Sequence, residues 1–255
     1  MPSPASLGHH PGDASVARRR RLVAAALIAL AALAAYANSF TGPFVFDDGP
    51  SIATNRTLRH LWPPWESLQP PPAAGVAGRP VLNFSFALNH AISGSAVWSY
   101  HALNLLVHLL GGLALFGVVR RTLLRLRGAT PTDPTWLALA IAAAWVVHPV
   151  QTASVTYVSQ RAESLMALFY LLTLYSFSRA TVCHPLDDKR AGRTRRAWAV
   201  ATVAACALGM ATKEVMVGAP LLVLLYDRTF VSMSFRDAWR QHRKQLPQNT
   251  FLIFH

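Results

Sequence analysis

The stretch RRRRLVAAALIALAALAAYA, residues 18–37, decides how the rest of this chain is read. Four consecutive arginines, Arg18–Arg21, stand directly before Leu22–Ala37, a run without a single charge. With the uncharged Asn38-Ser39-Phe40 behind it, the run reaches the roughly 20 residues a helix needs to cross a bilayer. Residues 22–40 are therefore expected to form a first transmembrane helix behind a basic cytoplasmic tail, residues 1–21. The same pattern, with Ala35-Tyr36-Ala37 as a small-residue triplet, also fits a cleavable secretory signal.

Outward from this stretch the pattern repeats. Further apolar runs fall at His101–Val119, Trp136–Val147, Ala162–Phe177, Ala197–Thr212 and Val215–Tyr226. The last is the weakest, 12 residues with Pro220 inside. Hydrophobic residues make up 53% of the 255, and charged residues only 14%, against about 25% in a soluble domain. That apolar content excludes a disordered chain. Two cysteines, Cys183 and Cys206, exclude a disulfide scaffold.

The formal net charge is nevertheless +13, which leaves a nucleic-acid binder or a membrane protein with basic loops. Position decides between them. The N-terminal tail, the 120–134 loop, the 179–196 loop and the tail after Tyr226 together carry 19 of the 24 Lys and Arg residues. The intervening loops carry only Arg56, Arg59, Arg79, Arg161 and Lys213. Such alternation is the positive-inside pattern and puts the N-terminus in the cytoplasm. No Gly-rich or aromatic module accompanies the arginines, so nucleic acid is not an expected partner.

The expected fold is an all-α integral membrane protein, a multi-pass helical bundle of about six spans with a large first extracytoplasmic loop. That loop covers residues 41–99, five further spans lie within 100–228, and 229–255 is a cytoplasmic tail. Punctuation agrees: Asp133-Pro134 reads as a helix N-cap with a first-turn proline, and Gly42-Pro43 and His148-Pro149 as stops. Cys183 falls on the cytoplasmic side and Cys206 within the fifth span, so no disulfide between them is expected.

Every Glu of the chain, together with Asp47-Asp48, maps to the extracytoplasmic face. Asp47-Asp48 follows Phe44-Val45-Phe46, and aromatic neighbours should hold the pair near the membrane surface. Paired, partly buried carboxylates suit a general base; a solvated Asp-Asp-Gly-Pro turn is the competing reading. Arg161 is expected at a helix N-terminus, where free amides already favour an anion and its planar fork can grip a phosphate. Pairing with Glu163 is the alternative there. Lys213-Glu214 lies between the fifth and sixth runs on the same face, where a charge near membrane depth is costly and usually functional; a snorkelling Lys that marks the interface is the alternative. His101, Asn104 and His108 recur on one helical face and read as lining a polar interior or a substrate pocket, with His148, Glu163 and Glu214 nearby. No Cys or Asp cluster completes a metal set, so neither a metal nor a cofactor is expected.

A carboxylate base and cations near bilayer depth meet the needs of glycosyl transfer from a lipid-linked sugar phosphate. The phosphate leaves without a general acid once cations stabilise its charge. A transporter is disfavoured, because the spans lack mid-span charges.

These same residues resemble a known family. Tyr36-Ala37-Asn38-Ser39-Phe40 through Phe46-Asp47-Asp48 and Ile52-Ala53-Thr54-Asn55 look like the start of the transmembrane O-mannosyltransferases that target cadherins. So do Gly78-Arg79-Pro80-Val81, Ser85–Asn89, Tyr100–Asn104 with His108, His148–Gln151, Arg161-Ala162-Glu163 and Lys213-Glu214. Bacterial relatives, many carrying tetratricopeptide repeats, are similar as well. The resemblance implies a C-type glycosyltransferase fold with Asp47 or Asp48 as the base and Arg161 and Lys213 at the donor phosphate. The implied donor is a polyprenyl- or dolichyl-phosphate sugar, mannose by analogy, and the acceptor a Ser or Thr hydroxyl of a protein. Transfer would invert the sugar and need no metal. The resemblance also argues that the first span is retained, since it anchors the acidic loop. Because that family continues into further spans, the chain is expected to be an N-terminal portion of a longer protein. A catalytically inactive scaffold or remnant is the alternative. The expected location is a bacterial inner membrane with a periplasmic site, the alternative being the endoplasmic reticulum membrane.

Overall fold

Ala, Leu and Arg are among the strongest helix formers, so nothing in the sequence stops a helix between the arginines and the apolar run. The computed structural model, which describes residues 11–126, 133–181 and 189–232, places one continuous helix there, α1 (Pro11–Tyr36). The arginines are thus part of the helix, not of a separate tail. A 3₁₀ turn, Ala37–Thr41, leads out of it. The remaining helices are α2 (Pro64–Ser67), α3 (Pro80–Ser93), α4 (Trp98–Arg125), α5 (Pro134–Val146), α6 (Thr152–Thr156), α7 (Arg161–Ala180), α8 (Lys189–Met210) and α9 (Ala219–Phe230). Among the described residues there is no strand.

Each of the six apolar runs overlaps one of α1, α4, α5, α7, α8 and α9, the last beginning in a 3₁₀ turn, Glu214–Gly218, ahead of α9. By length and composition, Ala14–Thr41 and Trp98–Arg125 can cross a membrane alone. A third span results if α5 and Pro149–Thr156, bent by 50°, act together. Alone, the 13 residues of α5 rise only about 20 Å, short of a hydrocarbon core of about 30 Å. The start of α5 is as the sequence indicates, with the Asp133 carboxylate accepting the Thr135 N–H at 3.0 Å. Arg20 adds an ion pair to the same carboxylate at 2.6 Å. These contacts, the backbone hydrogen bond first, hold the Asp133 pKa down at about 2. In the 179–196 segment, Lys189 onward belongs to α8; Cys183 and residues 233–255 lie outside the described residues.

α4 is the centre of the bundle, with α1, α5 and α7 packed around it. Ile28 and Ala32 of α1, Leu105 of α4, and Ala142 and Val146 of α5 form one buried cluster. Close approach of α4 and α5 depends on Gly112. A Cβ there would stand 2.4 Å from Val146 Cγ2. Contacts at the helix ends show the alternation of direction. Arg20 meets Asp133 and Arg121 meets Ser178 at one end, while the Tyr36 hydroxyl reaches the Val146 carbonyl at the other.

The 41–99 segment is structured rather than a bare connection. Ile52, Leu58 and Val76 pack against Leu82 and Phe86 of α3 and Tyr100 of α4. Buried polar groups lock the same layer. The Asn55 amide donates to Asn83 Oδ1 at 2.9 Å and to the Ser51 carbonyl at 3.0 Å. Asn83 in turn donates to the Ser67 carbonyl at 2.7 Å. This pinned loop carries Asp47-Asp48 against the ends of α4 and α7.

Candidate active site

The two adjacent aspartates have opposite surroundings. Asp48 is fully buried. Its Oδ2 accepts the Val45 N–H at 3.0 Å, and its Oδ1 accepts the Ser159 N–H at 2.7 Å, across 111 positions of sequence. A carboxylate receiving two backbone donors is spent on structure: it fastens the loop after α1 to the turn before α7. Asp47 is exposed. Its backbone N–H donates to the Tyr157 hydroxyl at 3.0 Å, and its carboxylate is left towards solvent.

Between Val45 and Asp47 the backbone turns through Phe46, at φ 42°, a left-handed conformation uncommon for a residue with a side chain. The turn closes on Asp48, whose N–H donates to the Val45 carbonyl at 2.9 Å. Phe46 is 88% exposed and meets the Tyr157 ring edge-on at 6.4 Å. Trp62 and Trp65 of the 41–99 segment and Trp98 at the start of α4 are exposed as well. Aromatic side chains of this kind sit at membrane interfaces.

Arg161 stands where the sequence puts it, at the first position of α7, but its role there differs from the expected phosphate grip. It is fully buried. Nε donates to Asn104 Oδ1 at 2.6 Å, Nη1 to the Ser85 carbonyl and hydroxyl at 3.1 Å each, and Nη2 to the Tyr100 carbonyl at 3.0 Å. The guanidinium also lies 4.5 Å from the centre of the Phe86 ring. Its fork is occupied by the protein itself. Nor does it pair with Glu163, which forms an ion pair with Lys213.

His101, Asn104 and His108 do share one buried face of α4. Each holds a neighbouring backbone. His101 Nε2 donates to the Gly42 carbonyl and His108 Nε2 to the Val146 carbonyl, both at 2.9 Å. Asn104 donates to the Val155 carbonyl at 3.1 Å. His108 is further enclosed by Trp145, stacked at 4.9 Å, and by Tyr36. His148 is exposed and caps the next turn, its Nδ1 accepting the Val150 N–H. The stripe therefore braces the helix ends around the acidic loop instead of lining a pocket.

One cation escaped the site list drawn from sequence. Arg79 Nη1 donates to the Gly75 carbonyl at 3.2 Å, and Gly75 lies against Asp47, a Cβ on it falling 3.7 Å from Asp47 Cβ. Arg79 also faces Glu214 at 3.6 Å. The Glu214 N–H, with Arg79 and Lys213 beside it, keeps that carboxyl below the ordinary glutamate pKa. A rim of ionisable groups thus runs from Asp47 through Arg79 and Glu214 to Lys213 and Glu163. The only signal for Arg79 in the sequence is its place before Pro80 in the Gly78–Val81 stretch; its contact with the Gly75 carbonyl, beside Asp47, is made by the fold. Among the described residues no three His, Cys, Asp or Glu side chains are grouped to hold a metal ion.

Fold and rim together define a helical membrane protein with a cluster of acids and bases gathered at one end of its bundle. Comparison with known proteins gives relatives. The chain is 31% identical over 174 residues to mouse protein O-mannosyl-transferase TMTC2, covering 65% of the chain and 19% of that protein. It is 32% identical over 202 residues to fruit-fly protein O-mannosyl-transferase Tmtc2, covering 75% of the chain and 20% of that protein. Human protein O-mannosyl-transferase TMTC1 is 30% identical over 183 residues, 66% of the chain and 20% of its own length. Over the matched residues the chain is similar to these protein O-mannosyl-transferases, consistent with the family its motifs resemble. It spans about a fifth of the length of the curated relatives it matches. No family model and no solved structure matches it.

Proposed function

We propose that this chain carries the acidic site of a membrane glycosyltransferase that moves mannose from a polyprenyl- or dolichyl-phosphate donor to a Ser or Thr hydroxyl of a protein, on the extracytoplasmic face. The names of the relatives support the reaction. The observation that carries the site is the division of labour in the acidic pair: a buried Asp48 with both oxygens engaged and an exposed Asp47 beside it.

In this reading Asp47 is the general base. It takes the proton from the acceptor hydroxyl as that oxygen attacks the anomeric carbon, and the bond from that carbon to the phosphate oxygen breaks with inversion. The lipid phosphate departs as an anion. Arg79 and Lys213, both partly exposed at the rim, are the cations placed to stabilise the departing charge, with Glu214 and Glu163 holding them ready. Arg161, His101, Asn104 and His108 are positioning residues that fix the ends of α4, α5 and α7 under the acidic loop. The exposed Phe46 beside Asp47 supports a reaction at the membrane surface, where a lipid-linked donor presents its phosphate.

The test is transfer of mannose from lipid-linked donor to acceptor protein in membranes containing the chain. Asp47→Asn should lower transfer by about 10²-fold or more while the thermal midpoint stays near that of the unaltered chain. Asp48→Asn should lower the midpoint as well. Full transfer by the Asp47→Asn protein would remove Asp47 as the base, and no transfer by the unaltered chain would remove the activity from it.

A further inference from the structure

The opposite, basic end of the bundle holds a cavity that the proposed reaction does not use. It has a volume of about 480 Å³ and lies between α1, α4 and α7. Its wall is apolar, formed in part by Leu113, Phe116, Leu168 and Leu172. Gly117 lets the wall close on one side, since a Cβ there would meet the Tyr175 ring at 2.6 Å.

Four guanidinium groups from three helices also line it: Arg21 of α1, Arg120 and Arg121 of α4, and Arg179 of α7. The contacts of three of them are with neutral groups. Arg21 donates to the Ala17 carbonyl of its own helix. Arg121 donates to Ser178 Oγ at 3.0 Å and lies over Tyr175. Arg179 lies 4.8 Å from the centre of the Trp198 ring. None of these three arginines takes part in the ion pairs Arg20–Asp133, Arg79–Glu214 and Lys213–Glu163.

The positive-inside rule accounts for arginines at this end. It does not account for their convergence on one cavity, because arginines that serve only as topology markers are free to spread into the headgroup layer. Like charges drawn together repel, and an anion between them removes that cost. The apolar wall rising from the same cavity selects an anion with a hydrocarbon chain.

We propose that this cavity binds an anionic phospholipid of the leaflet at the basic end, its phosphate among the arginines and an acyl chain along the Leu113–Leu172 wall. Basic pockets between membrane helices recognise acidic headgroups in this way, and the planar arginine fork suits phosphate oxygens. The proposal does not depend on transfer activity.

Lipid retention by the purified chain, read by native mass spectrometry, tests it with phosphatidylglycerol and phosphatidylcholine of identical acyl chains. The unaltered chain should prefer phosphatidylglycerol, and replacing both Arg21→Gln and Arg179→Gln should cut that preference by about 30-fold. The charge-keeping pair Arg21→Lys and Arg179→Lys should retain a preference, which separates lost charge from lost folding. Leu172→Trp, which fills the wall, should reduce retention of phosphatidylglycerol. Equal retention of the two lipids by the unaltered chain would overturn the proposal, as would an undiminished preference in the double glutamine variant. Displacement of the lipid by inorganic phosphate would show a free-phosphate site instead, and wild-type retention by Leu172→Trp would remove the acyl chain from the cavity.

Discussion

Arg161 and Arg79 show how little the residue type alone says about a cation's task. Both are arginines on the acidic-site side of the bundle, yet one is sealed among carbonyls and the other sits at the rim. Arg161 satisfies Asn104, Ser85 and Tyr100 at once, so removing it leaves several buried acceptors unpaired. Each such group costs about 1–3 kcal/mol. Arg161→Ala should therefore lose about 3 kcal/mol or more of stability, seen as a lowered thermal midpoint or a failure to accumulate. Arg79→Ala removes a partly exposed contact, worth about 1 kcal/mol at most. Its effect should fall instead on transfer, by about 10²-fold, with little change of midpoint. Kinetics and thermal unfolding on the two variants separate the roles; an inactive but fully stable Arg161→Ala protein would return Arg161 to the chemistry.

At the scale of elements, the contact of α4 with α5 is set by the absence of a side chain. Small residues let membrane helices approach closely and pack by van der Waals contact. A methyl at position 112 would overlap Val146 Cγ2, which is also the neighbourhood where His108 and Tyr36 hold the Val146 carbonyl. Gly112→Ala should destabilise the chain by about 1–3 kcal/mol through overpacking. Adding Val146→Ala removes the colliding methyls and should restore part of that loss. A double-mutant cycle measured by thermal unfolding reads this coupling directly, and strict additivity of the two changes would deny the contact. The same junction positions the acidic site, because the chain runs from α5 through α6 to Tyr157, Ser159 and Arg161.

Across the whole molecule, charge and chemistry are sorted to opposite ends. Arg20, Arg121, Arg125 and Arg179 gather at one end, and Asp47, Arg79, Glu163, Lys213 and Glu214 at the other. The positive-inside rule assigns the first end to the cytoplasm. A single cysteine at Ala73, which is exposed in the 41–99 segment, should then react with a membrane-impermeant maleimide added outside. One at Ala14 should react only after permeabilisation. Both are made in a chain with Cys183→Ser and Cys206→Ser, and the reverse labelling would invert the topology and move the proposed reaction to the other face.

The helices of the apolar runs and their order were legible in the sequence, because a long uncharged run bounded by arginines, prolines and caps has few alternatives to a helix in lipid; α3, inside the expected loop, was not. Asp133 at the head of α5 and the His101, Asn104 and His108 stripe could be read the same way, since caps and helical faces are local geometry. Where each helix stops was less legible: α1 takes in its arginines because the residues before the apolar run are good helix formers too. Only the tertiary structure decided what the polar groups do. Asp47 and Asp48 are adjacent and identical in type, yet Asp48 is claimed by an N–H that is 111 residues away. Arg161 is taken up by residues from α3 and α4, and Arg79 is held at the Gly75 carbonyl beside Asp47. A side chain's chemistry depends on whether its hydrogen-bonding capacity is already filled, and the groups that fill it here come from distant parts of the chain.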